Sequence, residues 1–338
     1  MTELNRSAAL SGFVQLAHRY GLDPVRLAKK VRVPPACLTD LDLPLSQTAI
    51  ATLLNLAAEE SGVEDFGLRL ADKRRISNVG PLALLASMQP TLREMLKVLS
   101  NNMRLHSESL VVVIEETDRL MFLRVEFVHM ERVPLRQLVD LVLGSVCRYI
   151  QAVMETGWRP KAVMLRSPPP RGPTLHADLF RRAPTYSADF DGLVLDRKDL
   201  DTEFNAPDPL LLSYVQTYID QMQSRNRKTM ADEVRRVIVA LLPGGRCQAD
   251  SVAAHLGISR RTLTRQLAGE RTSFSQLLEE VRAELIEAHL AAKRSYGEVA
   301  ELVGLASRSG LSHWLTRHGK RDAAVTRNKK SAVGTVRR

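Results

Sequence analysis

The sequence predicts an α+β N-terminal domain, helices with a small and mainly antiparallel sheet, followed by an all-α domain built on a tandem helix-turn-helix. Three observations carry this. Apolar residues recur at helical spacing through most of the chain, but short β-branched runs replace them between about residues 109 and 195. Beyond Met230 no strand pattern occurs. The stretch HLGISRRTLTRQLAGERTSF (255–274) has a counterpart further on, with Gly257 and Gly304 standing 47 residues apart at matching places.

The elements follow in order. AALSGFVQLAHRYGLD (8–23) and QTAIATLLNLAAEESG (47–62) carry apolar residues three and four apart and read as helices. Thr91 to Glu94, after Pro90, has the form of a capping box and opens a helix running to about Leu105. SLVVVIEE and LMFLRVEF, joined at Glu116-Thr117-Asp118, predict a hairpin. A helix from about Pro134 to Thr156 ends at Gly157, KAVMLRS (161–167) is a strand, and PPPRGP is a rigid loop. Asp191-Gly192 between two short apolar or aromatic runs suggests a second hairpin. The domains are accordingly placed at 1–207, at 208–229 (an amphipathic helix and the polar linker SRNRKT), at 230–318 for the tandem unit, and at 319–338 for a basic, disordered tail.

Composition narrows the function. The 338 residues suit two domains, and 44% hydrophobic with 25% charged residues is the balance of a soluble protein. No apolar run reaches the ~18–20 residues of a membrane span, and the N-terminus lacks the apolar core of a signal peptide, so no membrane partner and a cytoplasmic location are expected. Cys37, Cys147 and Cys247 are far apart and the eight histidines are scattered, so neither a metal nor a cofactor is expected. The net charge of +10 is uneven: 29 Lys/Arg against 27 Asp/Glu up to Thr229, but 19 against 11 from Met230 on. Positive charge gathered in one domain is the electrostatic mark of a polyanion partner.

The last third gives that charge a framework. Val252, Ala253 and Leu256 form the buried stripe of a short helix, Gly257 turns the chain, Ile258 plugs the turn and Ser259 caps the next helix. There Leu263 and Leu267 face inward, while Arg260, Arg261, Thr264 and Arg265 are left on the outer side. In the second unit Val299, Ala300 and Leu302 are the stripe, Gly304 the turn, Leu305 the plug, Ser307 the cap and Leu311 with Leu315 the inner pair. Arg308, Ser309, Ser312 and His313 then face outward. SFSQLLEEVRAELIEAHLA between the units makes a helix of about 27 Å, with Leu277, Leu278, Val281, Leu285 and Leu290 on its inner side. With packing offsets, that length brings two recognition helices near the ~34 Å repeat of successive major grooves. Double-stranded DNA is the expected partner, the cations meeting phosphates and guanine edges.

The two units around HLGISRRTLTRQL and VAELVGLASRSGLSHWL resemble the DNA-binding domain of AraC/XylS-type transcriptional regulators. Upstream, FGLRLA (66–71), GPLALLASMQPTLREML (80–96), GWRPKAVMLRSPPP (157–170) and LDTEFNAPDPLL (200–211) resemble the subgroup with an arabinose-binding-type sensor domain, which includes ornithine-utilisation regulators. The resemblance covers about residues 15–317. It implies a DNA-binding transcriptional regulator, not an enzyme, whose N-terminal domain senses a small effector or dimerises, with RNA polymerase and a second copy as further candidate partners. Carried over by position, it puts base reading on Arg261, Thr264 and Arg265 and on Arg308, Ser309 and His313, and core roles on Leu263, Leu267, Gly304, Leu311 and Leu315. His313 stands where the family more often has Arg, and Leu305, Leu311 and Leu315 where Phe is commoner. The tail GKRDAAVTRNKKSAVGTVRR lacks the family's Pro and aromatic residues, so it is expected to attract phosphate without sequence preference, leaving more of the readout to the first unit.

The N-terminal domain has no Gly-rich phosphate loop, no GxSxG and no paired metal-ligand motif. Its effector-binding residues are not identified by sequence. Arg104, His106, Arg124, His129, Tyr149 and Trp158 lie on or beside the expected sheet and helix as candidate lining residues. The alternatives to an effector-controlled regulator are one whose N-terminal domain only dimerises and, remotely, an enzyme with a DNA-binding tail.

Overall fold

The computed structural model describes residues 4–41, 43–74, 81–128, 130, 133–154, 157–203, 210, 213–217, 229–243, 245, 247–256, 258–291 and 293–318. The chain divides into two compact units, Met1–Arg227 and Lys228–Arg338. The first is α+β and the second all-α.

In the first unit a short strand β1 (Leu4–Arg6) pairs antiparallel with β2 (Pro44–Ser46), closing a helical layer of α1 (Phe13–Arg19), α2 (Pro24–Lys30), α3 (Gln47–Ser61) and α4 (Phe66–Asp72). Neither strand is visible in the sequence, since three residues leave no alternation to detect. The single helix expected at 8–23 is broken: Ser7–Leu10 is a 3-10 turn and Gly12, at φ +85°, resets the backbone before α1. Asp23 caps α2 by accepting the N–H groups of Val25 and Arg26, and Gly62 ends α3 in the left-handed conformation.

A second layer follows, with α5 (Pro81–Ser87), α6 (Leu92–Asn102), the strands β3 (Leu110–Glu116) and β4 (Leu120–Phe127), and α7 (Arg136–Val153). Thr91 caps α6 by accepting the Glu94 N–H. Then come β5 (Ala162–Leu165), α8 (His176–Phe180), β6 (Thr185–Tyr186) and β7 (Gly192–Asp196). The five-stranded sheet runs β3-β4-β7-β5-β6, antiparallel except for the β5–β6 pair. The hairpin at Thr117–Arg119 is as expected. The hairpin expected at Asp191-Gly192 is not there. Gly192 instead opens β7, which inserts between β4 and β5, and the Asp191 carboxylate accepts the Arg166 N–H at 2.8 Å. The dipeptide has turn chemistry, but its strand finds partners far away in sequence.

Helix α7 separates two apolar cores. Leu138 and Leu141 belong to the helical core with Phe13, Ile50 and Phe66, while Leu143, Cys147 and Ile150 face the sheet with Leu123, Val163 and Leu193. Helix α4 crosses it closely at Gly67, where a Cβ would lie 2.0 Å from the Gln137 carbonyl oxygen. Burying α7 on both sides explains why its apolar residues are not confined to one stripe.

Of the expected connecting helix and linker, only Leu210, residues 213–217 and Thr229 are described. Val215 is buried against Leu85, whereas Leu210 and Tyr214 are exposed. The tail 319–338, Gly257, His129 and Gly319 lie outside the described residues.

Candidate nucleic-acid interface

The second unit begins with α9 (Met230–Leu241), opened by a reciprocal capping box between Thr229 and Asp232. The Glu270 carboxylate also accepts the N–H groups of Met230 and Ala231, at 2.7 and 2.8 Å. An anion at the positive end of a helix is favourable. On the far side of α9, Arg235 bonds Glu280 at 2.5 Å and also reaches Glu284.

The first hairpin is α10 (Ala249–His255) and α11 (Arg260–Gly269). Val252 and Ala253 are buried as expected, while Leu256 and the plug Ile258 are half-buried. The Ile258 N–H closes the turn on the Ala253 carbonyl at 3.0 Å, and Ser259 caps α11 by accepting the Thr262 N–H at 3.1 Å. Leu263 and Leu267 are buried, and Arg260, Arg261, Thr264 and Arg265 are all exposed. They differ in what else they hold. Arg260 pairs with Asp250 of α10 at 2.9 Å, and the Thr264 hydroxyl donates to the Arg260 carbonyl at 3.0 Å. Arg261 and Arg265 carry no ion pair among the described residues.

Helix α12 (Phe274–Ala291) leads to the second hairpin. Leu277, Val281 and Leu285 are buried as expected. Ile286 and His289 complete the inner side, and Leu278 and Leu290 are only half-buried.

In the second hairpin, α13 (Tyr296–Leu302) has a capping box between Ser295 and Glu298, and α14 (Arg308–Arg317) follows. Val303 rather than Leu302 is fully buried behind Val299 and Ala300. The Leu305 N–H bonds the Ala300 carbonyl at 2.8 Å, and Ser307 accepts the Gly310 N–H at 3.2 Å. These are the turn and cap of the first hairpin, the turn 47 and the cap 48 residues later. Gly304 sits at φ +66°, and a Cβ there would lie 2.6 Å from the Leu242 carbonyl oxygen, so both its conformation and its closeness to the end of α9 require glycine.

Leu311, Trp314 and Leu315 are buried on α14; Arg308, Ser309 and His313 are exposed and Ser312 is half-buried. Arg308 lies over the Tyr296 ring at 6.0 Å, and the Ser309 hydroxyl is 2.7 Å from that of Ser307. Trp314 was not marked as core by sequence. Its indole N–H donates to Glu279 of α12 at 2.7 Å, and Arg282 donates to the other carboxylate oxygen at 2.8 Å. His318 stacks on Trp314 with ring centres 4.0 Å apart and brings Nε2 to 3.3 Å from Glu279. Burial raises the Glu279 pKa, but these donors outweigh it and hold the carboxyl below its usual range.

The five described candidates of the first unit do not form one set. Arg124 is buried on β4 over Phe190 and near Glu115, and Trp158 donates to Asp199 at 2.9 Å. Arg104 is half-buried on the 3-10 turn after α6. Tyr149 is buried on α7, and His106 is half-buried just after α6. Among the described residues no three His, Cys, Asp or Glu side chains are grouped to hold a metal, and no helix is long and apolar enough to cross a membrane.

Residues 21–204 match the family described as the arabinose-binding domain of AraC transcription regulators, N-terminal. The HTH-type transcriptional regulator VirS of Mycobacterium tuberculosis is 24% identical over 313 residues, covering 91% of this chain and 92% of VirS, and it matches from the strains CDC 1551 and H37Rv alike. Among solved structures, the transcriptional regulator CdpR of Pseudomonas aeruginosa is similar with a TM-score of 0.44 and 16% identity, over 89% of this chain and 94% of that one. With more than half its length matched and two capped helical hairpins behind that domain, the chain belongs to the AraC-type, helix-turn-helix transcriptional regulators that carry an N-terminal arabinose-binding domain.

Proposed function

We propose that this regulator reads two adjacent major grooves of its operator, α11 entering one and α14 the next, and that a small-molecule effector bound by the N-terminal unit controls the reading. The observation that carries this is the repetition itself. Two helices, each begun by a serine cap after the same six-residue turn bond, bury leucines on one side and expose polar and cationic residues on the other. Arg261, Thr264 and Arg265 are the proposed base readers of the first helix and Arg308, Ser309 and His313 those of the second. Arg260 and Ser312 flank them as backbone contacts. Because the Thr264 hydroxyl proton is directed to its own helix, that oxygen is suited to accept, as from an adenine or cytosine amine. The basic residues 319–338 add attraction for phosphate without choosing a sequence.

Selection on random DNA with the full-length protein tests the reading. The expected result is one motif with two boxes about one helical turn apart. A single short box would mean that α14 does not read bases, leaving a second copy of the chain to supply the other contact.

A further inference from the structure

In the N-terminal unit the loop before β5, the turn after β7 and the end of α8 enclose a cleft of about 230 Å³. Its described lining is charged almost throughout. Arg159, Lys161, Arg182 and Lys198 stand against the carboxylates of Asp196 and Asp199, with Pro160 beside them. Both carboxylates are already engaged. Asp196 lies 3.4 Å from the Lys161 ammonium and accepts the Lys198 N–H at 3.4 Å, capping the 3-10 turn Arg197–Asp201. Asp199 accepts the Trp158 indole N–H at 2.9 Å. Among these described lining residues the cations therefore exceed the carboxylates by two.

Local structure holds these groups in place. The Lys161 N–H donates to the Val194 carbonyl at 2.7 Å, fixing the approach to β5 beside β7. Arg181 ends α8 at φ +53°, a left-handed conformation that a non-glycine residue adopts only at a cost. Beyond that turn the Arg182 N–H bonds the Ala177 carbonyl at 3.1 Å, and the Arg181 guanidinium donates to the Trp158 carbonyl at 3.4 Å. With the bond from Trp158 to Asp199, three segments remote in sequence are tied to one another around the cleft. A cleft lined mostly by one sign of charge focuses its field and concentrates the opposite ion, while the charges repel one another when it is empty.

We propose that this cleft binds a small phosphate monoester, and that such a molecule is the effector of the N-terminal unit. Only the second half rests on the reading that this unit takes a small effector. An excess of two positive charges matches a phosphate monoester, which carries about −1.5 to −2 at pH 7. The guanidinium forks of Arg159 and Arg182 suit pairs of phosphate oxygens, and Lys198 adds a point charge. A drug-sized ligand with an apolar body needs a cavity of roughly 300–1,000 Å³ lined mainly by hydrophobic side chains. This cleft is smaller, and among the described residues Pro160 is its one apolar wall. The ligand is therefore compact, and polar beyond its phosphate.

The test is calorimetric titration of the full-length protein with inorganic phosphate, glycerol 3-phosphate and succinate, at an ionic strength held constant with chloride. Glycerol is the uncharged control. Saturable binding of at least one of the two phosphates, absent with glycerol, is the expected result. Arg159→Met and Arg182→Met should each weaken it about tenfold, and Lys198→Met several-fold. Asp199→Asn keeps an acceptor for the Trp158 indole but removes a negative charge, so it should tighten phosphate binding a few-fold. A purely structural carboxylate would give no such gain. Should Arg182→Met fail to fold, the exposed Arg159 and Lys198 carry the test. No saturable binding of either phosphate, saturation by succinate alone, or affinity unchanged in Arg159→Met and Lys198→Met, as for phosphate held by the DNA-binding unit, overturns the proposal. Operator affinity measured with and without the bound phosphate separates the two halves: saturable binding that leaves operator affinity unchanged supports the site and overturns the effector role.

Discussion

Among the exposed arginines of the two reading helices, freedom from other partners separates those suited to bases from those suited to support. Arg261 and Arg265 have no ion pair among the described residues, whereas Arg260 answers Asp250 and Arg308 rests on Tyr296. Arg261→Ala and Arg265→Ala are each expected to cost about 1–3 kcal/mol of operator binding and to relax preference at one base pair. Arg260→Ala should weaken operator and random DNA alike, and by less. Competition binding with single-base operator variants checks both. The outward faces were legible from the i, i+4 spacing and the caps; the Arg260–Asp250 pair was not, because the angle of the hairpin brings these residues together across ten positions. His255 makes a second case. Burial, and then the Arg236 charge, pull its imidazole from 6.5 to about 4. Between those values the unfolded chain takes up a proton that the folded one refuses, so stability is lost as pH falls from 6.5 towards 4. Denaturant unfolding at neutral and mildly acid pH should show His255→Gln gaining on wild type as the solution is acidified.

For the helices and strands, what the sequence revealed depended on whether an element's partners were near in the chain. Helices α10 to α14, the Ser259 and Ser307 caps and the β3–β4 hairpin rest on local contacts and were legible. The β1–β2 pair, the insertion of β7 between β4 and β5, and the parallel β5–β6 pair join remote segments, and nothing in a single sequence ranks such pairings. The clamp on Glu279 belongs to the same class, linking α12 to Trp314 at a separation of 35 residues. It fixes α14 to α12: Glu279 accepts the Trp314 indole N–H and lies 3.3 Å from the His318 ring stacked on that indole. Glu279→Ala leaves the Trp314 N–H without its acceptor and Arg282 with only the Val303 carbonyl, and should cost about 1–3 kcal/mol. The loss should fall on recognition of the second box, with the first box retained, as footprinting of each box would show.

Taken whole, the protein pairs a two-core α+β unit with a helical unit, and the two units differ in legibility. Reading DNA was visible because repetition, charge and caps all lie in about 60 consecutive residues, a span of the kind one helix-turn-helix pair and its connector require. The N-terminal unit offered no comparable cluster, its candidates Arg104, His106, Arg124, Tyr149 and Trp158 being spread over more than 50 residues of sequence. Helix α12 has a consequence at this scale. Arg235 ties it to α9, whose start is capped by Glu270 just past α11, and Glu279 ties it to α14, so on the proposed reading the separation between readers is set by a bar secured at both ends. Such a protein measures separation as well as phase. Inserting about five base pairs, half a helical turn, between the boxes carries the second one to the opposite side of the duplex, and affinity should drop to that of a single box, while about ten should not restore it. A promoter could then lose its response through a short insertion that leaves every recognised base intact.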